Sequence, residues 1–250
     1  MEVTHPDRLL FPGEGITKGD VIDYYRRIAP VMVAHVRNRP LMLERYRDGI
    51  DQGCLTFHCW PAQADRLRQP DRLIFDLDPP EGAFATVRAT ALRLRTLLEG
   101  LGLTPFVQTT GSRGLHVVAP LVPGPDHGEV LAFAHAVAER LAASDPARLT
   151  TEVRKAKRGG RVYLDVARNG YAQTVVAPYS VRARPGAPVA TPLDWDEVRT
   201  TRLAPDRWTI ANVFRRLGAK ADPWRGMARR ARPLPEAWAR LESLTASLAS

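Results

Sequence analysis

Apolar residues recur along this chain with two different periods, and the switches between them mark its elements. Thr17 and Asp20 have the spacing of a helix capping box, and Val21, Tyr25, Ile28 and Met32 follow at helical intervals. Pro30 is expected to bend or interrupt that helix near its end. Residues 41–46 and 54–60 read as short strands separated by the turn-rich Arg47-Asp48-Gly49. Arg72–Leu77 is an apolar strand running into Asp78-Pro79-Pro80. Phe84, Val87, Ala91, Leu94, Leu98 and Leu101 then alternate spacings of three and four, which predicts an amphipathic helix ended by Gly102. Thr104–Thr109 and Leu115–Ala119 predict strands on either side of a Gly111–Gly114 turn. Val130, Phe133, Val137 and Leu141 mark a further helix, and Arg161–Val166 and Gln173–Ala177 two more strands.

Residues 72–166 therefore read β-α-β-β-α-β, the ferredoxin-like arrangement of an α+β protein. In that topology the first and third strands are central and the fourth lies beside the first. Residues at the ends of strands one, three and four can then converge.

Composition removes several classes. The chain has 250 residues, 44% hydrophobic and 25% charged, which is globular rather than disordered. No apolar run approaches the ~20 residues of a membrane span, and the N-terminus lacks a signal-peptide pattern. Cys54 and Cys59 are too few for a disulfide framework. With His58 they have no further Cys or His at zinc spacing. No long period repeats. A soluble, cytoplasmic protein without membrane contact is expected.

Charge changes the picture more. The formal net charge is +9, carried by 32 Arg and only 4 Lys against 27 acids. Residues 1–149 are net −1, whereas residues 150–184 and 215–232 are each net +6. Two basic patches on a cytoplasmic protein point first to phosphate-bearing partners, for which Arg provides bidentate contacts.

The acids supply the candidate chemistry. On a strand, residues two apart share a face, so Asp76 and Asp78 project together while Leu77 points away. A D-x-D at a strand end also serves as an ordinary turn cap. Asp165, however, sits between Leu164 and Val166 in the expected fourth strand, where a carboxylate needs a partner to offset its desolvation. The three together suggest a two-metal phosphoryl-transfer site. Thr110-Gly111-Ser112-Arg113-Gly114-Leu115-His116 joins two strands and can form an amide nest for phosphate, although a hairpin also needs glycine. Arg168, Arg182 and Arg184 follow expected strand ends on the side of the acids. Arg158 lies among the basic residues around Gly159-Gly160, which also read as a solvated loop.

Several motifs in order carry a resemblance. They are Val3-Thr4-His5-Pro6-Asp7, Thr17-Lys18-Gly19-Asp20 with Tyr24-Tyr25, and Pro70 through Pro79 around Asp76-Leu77-Asp78. Gly111 with Gly114-Leu115-His116, Tyr163-Leu164-Asp165, and Ala177-Pro178-Tyr179-Ser180-Val181-Arg182 complete the set. From residue 3 to about Trp224 the chain resembles the polymerase domain of bacterial DNA ligase D, in the archaeo-eukaryotic primase superfamily. The resemblance implies a primase-like fold with an RRM-like catalytic core and a packed N-terminal α/β unit. The expected divisions are 1–68, 69–185 and elements to 224, followed by a basic linker and C-terminal helix over 225–250.

It further implies a nucleotidyltransferase that extends or fills DNA ends with NTPs or dNTPs in non-homologous end joining. Asp76, Asp78 and Asp165 would be catalytic and hold two divalent ions, Mn²⁺ or Mg²⁺. His58 fits a ribose-side histidine, and Thr110, Arg113, His116, Arg182 and Arg184 would meet the triphosphate. Lys18 fits a contact to the DNA 5′-phosphate, and Arg158 and Arg168 are further DNA-binding candidates. Gapped or overhanging 5′-phosphorylated DNA is the expected partner, with a Ku-like end-binding protein and a separate ligase beside it. Lacking a ligase-like or nuclease-like extension, the chain is expected to be a stand-alone, nucleoid-associated subunit.

The chain departs from the family pattern at three places. Thr110 and Arg113 stand where Ser and Lys are usual, and Gln108 where a basic residue is common. Between Gln52 and Cys54 the family carries several dozen more residues, including an aromatic pair that packs on template DNA. That loss leaves open a catalytically weakened DNA-end-binding module. The same three acids also suit another metal-dependent phosphotransferase or a nuclease.

Overall fold

The computed structural model describes residues 3–47, 52–80 and 82–249. A small ribbon of β1 (Leu9–Phe11) and β2 (Ile16–Thr17) leads into α1 (Lys18–Val36). The capping box is present: Asp20 N–H donates to Thr17 Oγ1 at 3.2 Å, and Thr17 N–H to Asp20 Oδ2 at 2.8 Å. The buried stripe of α1 is Val21, Tyr24, Ile28, Met32 and His35. Tyr24, not the expected Tyr25, is in line with Ile28 and Met32, since fourfold spacing from Ile28 leads back to 24. Tyr25 flanks the stripe, and its hydroxyl accepts from Val181 N–H at 3.0 Å. Nor does Pro30 end the helix, which continues to Val36. The buried Met32 and His35 beyond it offset the lost backbone hydrogen bond.

Next come β3 (Leu41–Arg47), β4 (Gln52–Cys59), β5 (Arg72–Asp78), α2 (Phe84–Gly100), β6 (Phe106–Thr109), β7 (Leu115–Pro120) and α3 (His127–Ala143). The chain continues through β8 (Leu149–Thr150), β9 (Val162–Asp165), β10 (Val175–Val176), β11 (Pro192–Leu193), α4 (Trp195–Arg199), α5 (Val213–Ala219) and α6 (Leu234–Ala249). Asp48 and Gly49 of the expected turn, and Asp51 at the shortened junction, lie outside the described residues. Gly102, at φ +83°, follows α2 as its sequence position suggests.

The larger sheet has six strands in the order β11-β6-β7-β5-β9-β8, so β5 and β7 are central and β9 lies beside β5. This is the expected ferredoxin-like order, extended by one short strand at each edge. The Gln173–Ala177 segment contributes only β10, and to a separate sheet ordered β10-β4-β3.

Alternation along β5 connects pattern to architecture. Leu73, Phe75 and Leu77 enter a core with α2, α3 and the buried Leu234, Ala237 and Leu241 of α6. Ile74 faces the other way, into a core shared with α1, Cys59, Val175 and Tyr179. Asp76 and Asp78 lie on the Ile74 face, where the two sheets diverge. The 225–249 stretch includes the expected C-terminal helix, α6, and packs on the rest of the chain. Arg232 N–H donates to Pro120 O at 3.2 Å, and Trp238 packs on Phe133 with ring centroids 5.3 Å apart. Its buried leucines hold α6 down at about 2 kcal/mol each.

Candidate active site

Strand pairing brings the acids together. In the antiparallel ladders Asp76 is directly opposite Asp165 on β9 and His116 on β7, and Asp78 follows two residues on, on the same face. One carboxylate oxygen from each of Asp76, Asp78 and Asp165 lies within 4.8 Å of the others. Asp165 is buried, and its Oδ1 accepts from Ala167 N–H at 2.9 Å. Burial, and then the charges of Asp76 and Asp165, raise the Asp78 pKa above the usual carboxylate range. Burial also opposes ionisation of Asp76, but His116, Arg168 and Arg182 outweigh it and lower that pKa. Neighbouring carboxylates are thus pushed apart in acidity.

The donor set suits a divalent cation. Three hard oxygen ligands converge in a partly dehydrated place, and Asp76 Oδ1 is buried without a hydrogen bond. The nearby groups do not complete it: the Arg168 cation, through Nε, is 3.8 Å from Asp165 Oδ2 and 4.0 Å from Asp76 Oδ2, and His116 Nε2 is 3.4 Å from Asp76 Oδ1. The cluster can hold a metal ion.

The Thr110–Gly114 turn forms one lip. Thr110 Oγ1 accepts from the N–H groups of Ser112 and Gly114, both at 3.2 Å, so its hydroxyl organises the turn. Two glycines are required there. Gly111 has φ +63°, and a Cβ on it would lie 2.8 Å from Arg182 Cγ. A Cβ on Gly114 would lie 2.1 Å from Leu77 O, inside the backbone of β5. The close approach of turn to strand holds Arg113 near Asp78, whose acidity its charge increases.

A cleft of about 220 Å³ opens between the two sheets above the acids. It is lined by Asp76 and Asp78 together with His58, Thr110, Arg113, His116, Arg168 and Arg182, all predicted from the sequence. His58 enters from β4. Burial and the Arg182 charge lower its pKa, against the opposing effect of Glu44, whose Oε2 is 3.5 Å from Nε2.

Three predicted residues are elsewhere. Arg184 is exposed and outside the cleft lining. Lys18 donates from Nζ to Thr4 O at 2.5 Å, at the start of α1. Arg158 donates to the carbonyls of Glu152 and Val153 at 3.2 and 3.0 Å, and its guanidinium stacks 3.7 Å over the Tyr163 ring. It is an anchored cation whose field reaches Asp78, set in a loop whose Lys155, Lys157, Gly159 and Gly160 are exposed.

Two further participants were not among the expected site residues, although Gln108 stood out as a departure from the family pattern. Gln108, 1% exposed, donates from Nε2 to His116 Nδ1 at 3.1 Å and to Val176 O at 3.2 Å. A glutamine inside the apolar run Phe106–Thr109 was the available signal. Ser112 also lines the cleft, with nothing in the sequence to separate it from an ordinary turn serine.

The chain matches the LigD primase-polymerase domain family over residues 17–54 and 50–224, two stretches that meet where the shortening was read. It is 31% identical to the multifunctional non-homologous end joining protein LigD of Mycolicibacterium smegmatis, covering 81% of this chain and 33% of that protein. The Pseudomonas aeruginosa LigD is 30% identical, with 90% and 32% covered. The chain spans about a third of the length of these curated relatives. Among solved structures, it resembles the polymerase domain of Mycobacterium tuberculosis ligase D in complex with DNA. The TM-score is 0.81 and the identity 28%, with 93% of this chain and 99% of that one covered.

Proposed function

This chain belongs to the LigD primase-polymerase family, and on that premise we propose that it is a metal-dependent nucleotidyltransferase. It extends or fills DNA ends with NTPs or dNTPs during non-homologous end joining. The observation that carries the reading is the convergence of Asp76, Asp78 and Asp165 within 4.8 Å beneath a cleft edged by arginines. Its partners are 5′-phosphorylated gaps and overhangs, with a Ku-like end-binding protein and a ligase acting on the same ends.

The three carboxylates would hold two divalent ions, Mn²⁺ or Mg²⁺. When bound, such ions increase the acidity of a primer 3′-hydroxyl and neutralise charge building on the phosphates. The protein's own groups do the rest. Arg113, Arg182 and, from outside the cleft, Arg184 meet the triphosphate, where guanidinium forks match phosphate oxygens. His116, oriented by Gln108, holds Asp76 in place and offers Nε2 to the nucleotide, while His58 stands on the ribose side. Thr110 acts through the turn it organises. Arg168 offsets negative charge beside Asp165, and Lys18 and Arg158 contact DNA.

The test is primer extension on 5′-phosphorylated gapped DNA with Mn²⁺ and labelled NTP or dNTP. Incorporation by the native protein, lost in Asp76→Ala/Asp78→Ala with DNA binding retained, is the expected result. No incorporation by the native protein would overturn the reading, and shortened primers would instead identify a nuclease. DNA affinity is also expected to fall steeply with salt.

A further inference from the structure

We infer that a second cavity, between the C-terminal end of α1 and residues 221–228, is a binding site for a small phosphate-bearing ligand of mononucleotide size. Its volume is about 580 Å³, within the range of ligand pockets and larger than the cleft over the acids. The two share no lining residue. Arg72, on its wall, begins β5, whose other end carries Asp78. Six strand residues put them roughly 20 Å apart.

Four arginines line the cavity, Arg37, Arg39, Arg72 and Arg225, against two acids, Asp71 and Asp222. Both acids are already committed. Asp71 accepts two hydrogen bonds from Arg39, at 2.7 and 2.6 Å, and one from Gln63 at 2.9 Å. Asp222 accepts from the Tyr179 hydroxyl at 2.8 Å and from Trp224 N–H at 3.1 Å, and pairs with His35 at 2.7 Å. Arg39 is thereby spent, and three arginines remain.

Arg72 is the decisive one. It is 5% exposed, donates from Nη2 to His35 O at 2.8 Å, and lies 3.7 Å from Cys59 Sγ through Nη1. Its Nε is buried and has no hydrogen-bond partner. Burial and the Arg39 charge lower its pKa to about 10, which leaves it cationic at neutral pH. A buried guanidinium with an unspent donor is costly, and its charge favours an anion in the cavity beside it. Arg37 and Arg225 are exposed at the rim, and neither makes a salt bridge among the described residues. Three guanidinium groups lining one cavity suit a phosphate, which has oxygens enough for all of them.

The opposite wall is apolar. Trp224, pinned by its Nε1–H to Val107 O at 3.0 Å, stands with Met227, Leu217 and Val31. Such a wall, beside a basic end, fits a nucleobase attached to that phosphate. The site also gives a role to Arg225, from the second basic patch, which the polymerase reading does not use.

The test needs no catalysis. Calorimetric titration of the whole protein with adenosine monophosphate, in EDTA so that the acid cluster holds no metal, is expected to show saturable binding. Adenosine, and AMP against Arg37→Ala/Arg225→Ala, should each bind roughly tenfold or more weakly. Both substituted residues are exposed, so an unchanged melting temperature verifies folding; Arg72 is left intact because its loss would empty a buried position. Asp76→Ala/Asp78→Ala should bind AMP as the native protein does. The proposal is overturned by no saturation up to about 1 mM. Equal affinity for adenosine, an unchanged affinity in the double arginine variant, or loss of binding in the double aspartate variant would each overturn it as well. None of these outcomes depends on primer extension, so failure of this site and failure of the polymerase reading are distinguishable.

Discussion

Gln108 sets which nitrogen of His116 carries the proton. The amide must present Nε2, because it also donates to Val176 O at 3.2 Å, so the Nδ1 atom 3.1 Å away is an acceptor. Assigned from this hydrogen-bond pattern, the protonated nitrogen is Nε2, which faces Asp76 Oδ1 at 3.4 Å.

Replacing Gln108 with Leu removes that donor while keeping the bulk. Primer extension is expected to fall about tenfold, mostly in kcat. The distinguishing measurement is the ¹⁵N spectrum of the imidazole, which should move from a single Nε2–H tautomer to a mixture. An unchanged tautomer would remove the positioning role.

Asp78 ties stability to pH and metal. Burial, with the charges of Asp76 and Asp165, raises its folded pKa, so the native state retains this proton to higher pH than the unfolded chain. The contribution is fully present below the unfolded pKa and is lost as pH rises through the folded one. In EDTA at neutral pH, Asp78→Asn should therefore melt a few degrees above the native protein. The gap should close as pH falls below the folded value, where the native carboxyl is protonated too. Mn²⁺ is expected to raise the melting temperature of the native protein and much less that of the variant. Calorimetric melts across pH, with and without metal, check both signs.

The Arg39–Asp71 pair has the opposite sign. Burial pushes the Asp71 pKa up, but the Arg39 hydrogen bonds and charge prevail and leave it lowered. Its stabilisation is present above the ordinary carboxylate pKa and disappears as pH falls through the folded value. Arg39→Met would leave Asp71 buried without its cation, at a cost of about 3 kcal/mol near pH 7. At about pH 3 the loss should be smaller. Urea denaturation at the two pH values measures the difference.

Gly114 and Gly13 form a matched pair. A methyl on Gly114 would lie 2.1 Å from Leu77 O, whereas one on Gly13 meets nothing within 4 Å. Gly114→Ala should cost about 3 kcal/mol and reduce metal affinity, because β5 must shift beside Asp78. Gly13→Ala should stay within about 0.5 kcal/mol. Equal effects would mean that the turn yields without moving the strand.

Local order was legible in the sequence because its causes are local. The capping box of Thr17 and Asp20, the stripe of α2, and the shared face of Asp76 and Asp78 follow from spacings within a few residues. The ordered motifs extended that reach to Asp165, His116 and the cleft arginines. Tertiary structure alone decided the rest. Periodicity tells which face of an element is buried but not what covers it. Tyr24 rather than Tyr25 therefore entered the core, α1 continued past Pro30, and α6 packed on Phe133. The pairing of Gln108 with His116 depends on the register of β6 on β7. Arg37, Arg72 and Arg225 share one cavity only because α1, β5 and the 221–228 segment pack together. Charge along a chain adds up by counting, whereas a buried guanidinium with an unspent donor exists only once the fold has closed around it.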